Sequence, residues 1–364
     1  MMKSKILIIT GGTGGHVIPA LNFFNYLNNK SKNVFLLTDN RGYKFIKNID
    51  KSKILKIQSS HLSGNIYFKL IGIIKLLIGF FQSLIIFMKI RPKIIISFGS
   101  YASLAPLSCF VFFKFFFKIK FYIHEQNSII GQTNKFFSKH ANKIFVNFDK
   151  EYLSISNHKK KICVVGLPQK NLTKYSIYEE RTNDEYINFL VFGGSQGSFD
   201  ILIILNKIIK ELKKLSKFKK INFIVQCPIT RQNEIKNLLN RNNYKFEVKS
   251  FFNNFDNILS KTKIALCRSG AGTINDLINY KIPAIILPLP SAKDNHQFEN
   301  AKILTDIECA IIADKGFIEF DKIILFIRKV IDDKIFYKSL IAKYKKIKRY
   351  DTNGLMWKNI KNDQ

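Results

Sequence analysis

Histidine, cysteine and acid are all scarce in this chain. Six histidines and five cysteines occur in 364 residues, and 26 Asp plus Glu face 59 Lys plus Arg, for a formal net charge of +33. The cysteines, Cys109, Cys163, Cys227, Cys267 and Cys309, stand far apart with no Cys-x-x-Cys pair, and no histidine cluster has metal-ligand spacing. That pattern argues against a zinc site and a disulfide framework, and a reducing compartment is expected. No Asp-x-Asp pair lies near the glycine-rich turns of the chain, so neither a metal nor another cofactor is expected. With 46% apolar residues the chain is no disordered polyelectrolyte. The cationic excess invites a nucleic-acid partner, because such fields neutralise phosphate. It is carried mostly by lysine scattered among Ile, Asn and Phe, as an AT-rich codon supply would scatter it. Neither a ribonucleoprotein sequence nor a basic helix dimer pattern occurs, and no nucleic-acid partner is expected.

Long apolar runs are also few. The first, after MMKSK, stops within a few residues at glycines, so it reads as a strand and not as a signal peptide. The second, residues 70–88 (LIGIIKLLIGFFQSLIIFM), approaches the length of a membrane span. Lys69, Gly72, Lys75, Gly79, Gln82, Ser83 and Lys89 recur every three or four positions and fall on one helix face, opposite a wide apolar face. Lys75 at the centre of a span costs about 2.5 to 3.5 kcal/mol. The segment therefore reads as an amphipathic helix packed on a sheet through its apolar side, with a true span as the alternative.

A weak internal repeat organises the rest. KILIITGGTGG at the start and NFLVFGGSQG in the middle are both an apolar β-branched run followed by a glycine turn, and their Gly-Gly pairs begin at Gly11 and Gly193, half the chain length apart. Each half continues with buried strands alternating with helical stretches, which implies two parallel-sheet α/β domains. Length agrees with two domains at roughly 150 residues each. The expected division is residues 1–163 and 164–341, two Rossmann-like domains facing a cleft, with ligands beyond the carboxyl ends of the strands.

Polar residues concentrate at those strand ends. Gly11-Gly12-Thr13-Gly14-Gly15-His16 follows the first strand and opens a helix, so its amides make an anion site; the glycine spacing is not the dinucleotide fingerprint. His16, at a strand's carboxyl edge, can take a proton from a hydroxyl near neutrality; the alternative is a residue that only caps its helix. His124-Glu125-Gln126-Asn127 closes another strand as a cleft wall, or as a loop capping the next helix. Gly193-Gly194-Ser195-Gln196-Gly197 repeats the turn with a central hydroxyl suited to a phosphate oxygen. Arg268-Ser269-Gly270-Ala271-Gly272-Thr273 follows a further strand with Asn275 and Asp276 one turn later, where a carboxylate can accept both hydroxyls of a ribose. Lys293-Asp294-Asn295-His296-Gln297 forms a rigid polar loop after Pro288-Leu289-Pro290.

GGTGGHVIPA, HEQNSIIGQTNK, FGGSQGS, CRSGAGT and KDNHQFENA, in this order over residues 5–301, together resemble the family of undecaprenyldiphospho-muramoylpentapeptide β-N-acetylglucosaminyltransferases, the lipid II-forming enzymes of peptidoglycan synthesis. The resemblance implies a GT-B fold, an N-terminal domain for the acceptor, lipid I, and a C-terminal domain for UDP-N-acetylglucosamine. It also implies a last helix, about residues 342–364, that packs back on the first domain. Nucleotide-sugar contacts then fall on Thr13, Gly14, Gly15, Asn127, Ser195, Ala271, Gly272, Thr273, Ile274, Asn275, Asp276 and Gln297, with the backbone of Phe252 meeting the uracil and His16 as general base. Three family positions depart. The usual Gly-Asn-Pro-x-Arg is Gly166-Leu167-Pro168-Gln169-Lys170, so the asparagine is lost and the phosphate contact falls on Lys170, which keeps the charge without the guanidinium fork. The ribose-binding glutamate is Asp276, one methylene shorter. A diacylglycerol glycosyltransferase of the same fold is the alternative, although His-Glu-Gln-Asn is not expected of it. Residues 106–122, PLSCFVFFKFFFKIKFY, interleave aromatics with Lys114, Lys118 and Lys120 and suit the headgroups of an anionic leaflet, or else form a core helix and strand with solvated lysines. The expected place is the cytoplasmic face of the bacterial inner membrane, peripherally bound.

Overall fold

The computed structural model describes residues 4–30, 33–60, 65–170, 181, 186–193, 199–213, 220–313 and 320–363. It divides into two compact units, the first comprising Met1–Asn171 and Arg349–Gln364, the second Leu172–Lys348.

The first unit contains β1 (Ile6–Ile9), β2 (Val34–Asp39), β3 (Ile54–Ile57), β4 (Ile94–Ser97), β5 (Lys120–Glu125), β6 (Lys143–Val146) and β7 (Ile162–Val164). They form one parallel sheet in the order β3-β2-β1-β4-β5-β6-β7. Ile, Leu and Phe fill most strand positions because the central strands are covered on both faces. On one face Leu7, Ile9, Ile95, Phe121 and Ile123 pack with Phe87 and Phe110 from the helices Ile66–Ile90 and Leu104–Phe113. On the other, Ile6, Ile8, Tyr122 and Phe145 pack with Phe23 and Phe24 of the helix Gly14–Asn28 and with Met356, Trp357 and Ile360 of Thr352–Asn362. Lys143 binds Asp363 (3.0 Å) and Asn359 (3.1 Å), and the Tyr122 hydroxyl donates to Asp363 (3.2 Å), so this last helix is part of the first unit.

The second unit contains β8 (Ile187–Phe192), β9 (Ile221–Gln226), β10 (Lys245–Lys249), β11 (Thr262–Cys267), β12 (Ala284–Ile286) and β13 (Ala310–Ile312), again all parallel, in the order β10-β9-β8-β11-β12-β13. Its core joins Phe189, Val191, Phe223, Val225, Ile264 and Leu266 to the helices Phe199–Lys213 and Phe320–Asp332. In each sheet the strand order reverses beside the first strand of the unit, at β1/β4 and β8/β11, the place where open α/β sheets bind ligands.

Two expectations are corrected. The boundary lies at Asn171 and not at residue 163, because β7 pairs with β6 and Val165 is buried in the first core; the return to the first unit begins at Arg349, and the helix Lys334–Lys343 stays in the second. The helix Ile66–Ile90 packs through the face expected to be solvated. Its buried residues are Gly72, Gly79, Ser83, Phe87 and Ile90, while Ile73, Ile74, Leu77, Phe81, Ile85 and Met88 face solvent. Small residues allow close approach on the inner side: a Cβ at Gly79 would lie 2.2 Å from the Gln58 carbonyl oxygen, and Gln82 Oε1 accepts from the Gln58 amide (2.7 Å).

Candidate active site

In the first unit the turn after β1 is held from below by Asp39, the last residue of β2. Its carboxylate accepts from the amides of Gly12 (2.9 Å) and Gly42 (2.8 Å), from Ser59 Oγ (2.9 Å) and from Arg41 Nε (3.0 Å). Burial alone raises the pKa of such a group; these donors outweigh it and hold Asp39 below the ordinary carboxylate value. Gly11 and Gly12 are required here. A Cβ on Gly11 would meet Ala102 Cβ at 2.4 Å, and Gly12 has φ +76°. Beside them Ser100, not a glycine, also has positive φ (+79°), a strained conformation of the kind that collects at functional sites.

Thr13 is the N-cap of Gly14–Asn28 and gives no side-chain cap; the His16 amide bonds to the Thr13 oxygen (3.2 Å), and the Gly14 and Gly15 amides precede the helical hydrogen bonds. Thr13 and Gly15 are exposed and Gly14 is buried. His16 is half-buried on this turn, and its Nδ1 lies 2.9 Å from the Phe98 carbonyl oxygen and 2.8 Å from Gln126 Oε1. His124, on the end of β5, and Gln126, just after it, are fully buried. The His124 ring stacks on Phe98 (centroids 5.1 Å apart), and burial pushes its pKa down to about 4. Glu125 organises the following loop instead. Its Oε1 accepts from the amide (3.0 Å) and Nδ2 (3.3 Å) of Asn127, and its Oε2 from the Gly131 amide (2.8 Å) and Asn134 Nδ2 (2.9 Å). The capping role and the site-wall role of the His-Glu-Gln-Asn run are thus divided between adjacent residues. Lys170 is exposed, at the end of a stretch anchored by Asn22 Nδ2 to the Pro168 oxygen and Asn353 Nδ2 to the Gln169 oxygen (both 3.0 Å).

In the second unit, Ser195 lies outside the described residues. The helix Ala271–Tyr280 begins at Gly270 with no side-chain cap; Gly272 is exposed, with open space where a Cβ would be. Thr273 and Asn275 are half-buried, and Asn275 Nδ2 bonds back to the Ala271 oxygen (2.9 Å). Ile274 is a core residue whose amide is already bonded to Gly270, so neither its side chain nor its N–H is available to a ligand. Asp276 keeps part of its surface open but is set among protein atoms. That burial, with the Asp256 carboxylate nearby, pushes its pKa up to about 7. Phe252 is buried beside exposed Phe251, and Gln297 Oε1 accepts from the Leu289 amide (2.9 Å).

Three groups had no role assigned from the sequence. Asp39 has a strand-end signal, an acid closing a β-branched run, and Gln126 was visible only as one of four polar residues. Arg268 is the third. Its guanidinium donates to the carbonyls of Leu287 (3.0 Å) and Pro288 (2.9 Å) and to Asp200 (3.0 Å), and it staples the ends of β11 and β12 to the helix Phe199–Lys213.

Both units match known proteins. The glycosyltransferase family 28 N-terminal domain matches residues 6–146 and the family 28 C-terminal domain residues 188–352. A Rickettsia bellii (strain RML369-C) protein named UDP-N-acetylglucosamine--N-acetylmuramyl-(pentapeptide) pyrophosphoryl-undecaprenol N-acetylglucosamine transferase is 32% identical over 308 residues, 84% of each chain. A Rickettsia felis (strain ATCC VR-1525 / URRWXCal2) protein of the same name is 33% identical over 309 residues, covering 83% of this chain and 84% of that one. The crystal structure of Acinetobacter baumannii MurG matches with a TM-score of 0.76 over 98% of this chain and 99% of that one, at 22% identity. The fold is accordingly GT-B.

Proposed function

The chain belongs to glycosyltransferase family 28, and from that premise we propose that it is a hexosyltransferase making lipid II. It moves N-acetylglucosamine from UDP-N-acetylglucosamine to the 4-hydroxyl of the N-acetylmuramoyl pentapeptide of lipid I, with inversion at the anomeric carbon. The observation that carries this reading is His16. Its Nδ1 faces two acceptors, so the lone pair is on Nε2 of a half-buried ring just beyond the carboxyl edge of β1. Removing the hydroxyl proton there is worth about 10² to 10⁴ in rate, or roughly 3 to 5 kcal/mol.

The departing UDP gains charge. First-turn amides at Ala271, Gly272 and Thr273, aided by the helix dipole, stabilise it, with Ser195, Lys170 and the Thr13-Gly14-Gly15 turn as further phosphate contacts. Asp276 accepts the ribose hydroxyls, the Phe252 backbone meets the uracil, and Asn127, Asn275 and Gln297 complete the donor contacts. Ile274 contributes packing beneath them.

The enzyme sits peripherally on the cytoplasmic face of the inner membrane. The outward side chains of Ile66–Ile90, with exposed Phe112, Phe115, Phe116 and Phe117 and exposed Lys69, Lys75, Lys118 and Lys120, support an anionic leaflet as the partner surface. By length and composition that helix could cross a bilayer. Its Gly72, Gly79 and Ser83 side is packed on the core, which favours lying in the interface plane. Incubation with radiolabelled UDP-N-acetylglucosamine and either lipid I or diacylglycerol tests the assignment. Label is expected in lipid II alone; label in a glycolipid from diacylglycerol would assign the other acceptor.

A further inference from the structure

Gln126 is the middle link of a chain of hydrogen bonds whose far end is backbone. The Gly166 carbonyl oxygen lies 2.9 Å from His124 Nε2 and can only accept, so the His124 proton is on Nε2 and its Nδ1 is an acceptor. Burial keeps this ring neutral, its pKa pushed down to about 4. The Gln126 amide nitrogen lies within reach of three acceptors, the carbonyl oxygens of Phe98 (3.1 Å) and His124 (3.0 Å) and His124 Nδ1 (3.2 Å). Turned the other way, the amide would set its oxygen against two buried carbonyls, a costly arrangement. Its orientation is therefore fixed, and Oε1 must face His16 Nδ1. The Phe98 carbonyl, on the same nitrogen, makes the same demand. An unconstrained imidazole exchanges its proton between the two nitrogens; this one has both acceptors on one side.

We propose that Gln126 and His124 are positioning residues for the reaction, holding His16 as the Nδ1–H tautomer so that Nε2 is permanently the proton acceptor. The inference rests on the general-base reading of His16 and deepens it. Gln126 supplies orientation without charge, unlike the carboxylate that commonly backs a catalytic histidine. As Nε2 takes the acceptor proton, the two oxygens at Nδ1 stabilise the imidazolium. The anchor of the chain is itself rigid: Gly166 has φ +85°, and a Cβ there would lie 2.7 Å from Thr352 Oγ1, at the start of the returning helix.

The test is nitrogen-15 NMR of ring-labelled histidine in the full-length enzyme, together with steady-state kinetics of Gln126→Met and Gln126→Glu. Wild-type His16 is expected to show a protonated Nδ1 and an unprotonated Nε2. Gln126→Met, which keeps the volume but leaves the Phe98 carbonyl as the one acceptor at Nδ1, is expected to shift part of the His16 population to the Nε2–H tautomer. It should lower kcat by at least about tenfold, part of what a positioned base supplies, with KM for UDP-N-acetylglucosamine within about twofold. Gln126→Glu, as the protonated acid donating its hydroxyl to the buried carbonyls, restores an acceptor toward Nδ1 relative to Gln126→Met and should restore the Nδ1–H tautomer. A wild-type His16 protonated on Nε2, or a Gln126→Met enzyme with unchanged tautomer and kcat, overturns the proposal. If His16→Ala keeps full turnover while the tautomer follows Gln126 as stated, it is the general-base reading that fails.

Discussion

The turn after β1 is held by a buried carboxylate and a network of side chains, whereas the helix after β11 begins on bare backbone. Both sit at the reversal point of a parallel sheet. In the first unit Asp39 fixes the turn while Gln126 and His124 fix one imidazole; in the second Arg268 fixes the strand ends and the helix that opens at residue 271 has no side-chain cap. One topology thus supports two kinds of chemistry. A proton acceptor needs a defined side-chain tautomer, and a leaving diphosphate needs donors that cost no reorganisation.

The contrast is most easily broken at His16. His16→Ala should lower kcat by about 10² to 10⁴ while KM for UDP-N-acetylglucosamine stays within about twofold; an equal change in both parameters would show that His16 binds the donor rather than working on the acceptor hydroxyl. Asp39→Asn should cost about 1 to 3 kcal/mol of stability by leaving buried donors poorly matched, measurable by urea denaturation. Because the folded-state pKa of Asp39 is lowered, its stabilisation is present above the unfolded value of 3.8 and is lost as pH falls below it. The stability difference between wild type and Asp39→Asn should therefore shrink on acidification through that range.

Asp276 sharpens the other side. Its folded pKa of about 7 lies above the ordinary aspartate value of 3.8, so the native state holds the proton more tightly and stability falls as pH rises between the two. Ribose hydroxyls prefer the ionised form, so KM for UDP-N-acetylglucosamine should fall as pH rises through about 7. Asp276→Asn should raise KM by about tenfold above that pH, flatten its pH dependence and raise Tm. The smallest effect on chemistry is expected from replacing Lys114, Lys118 and Lys120 with Gln. Binding to anionic vesicles should weaken by on the order of 1 kcal/mol per exposed lysine, with turnover on detergent-dispersed lipid I unchanged. Lys114, bonded to His140 at 2.8 Å, should contribute least.

Residues on the strand ends were legible in the sequence because glycine turns and polar clusters interrupt apolar runs, and the two-sheet architecture followed from alternation. The orientation of Ile66–Ile90 was not. Periodicity separates two faces of a helix but does not say which one enters the core, and here small residues go inward while Ile, Leu and Phe stay out. That arrangement obeys the packing rule of helices in lipid, where close backbone approach at Gly and Ser substitutes for burial of large side chains. The burial of Ile274 was not legible because a motif names consecutive residues, whereas a helix turns the fourth of them inward. The role of Gln126 needed three-dimensional distances, since the Phe98 and Gly166 carbonyls that orient it come from distant strand ends.

The helix Thr352–Asn362 makes the first unit discontinuous in the chain. Met356, Trp357 and Ile360 cover the same sheet face as Tyr122 and Phe145, yet a ribosome synthesises them only after the whole second unit. Until then that face of the nascent first unit has the helix Gly14–Asn28 on it but lacks these three side chains, so its completion is tied to the finishing of its neighbour.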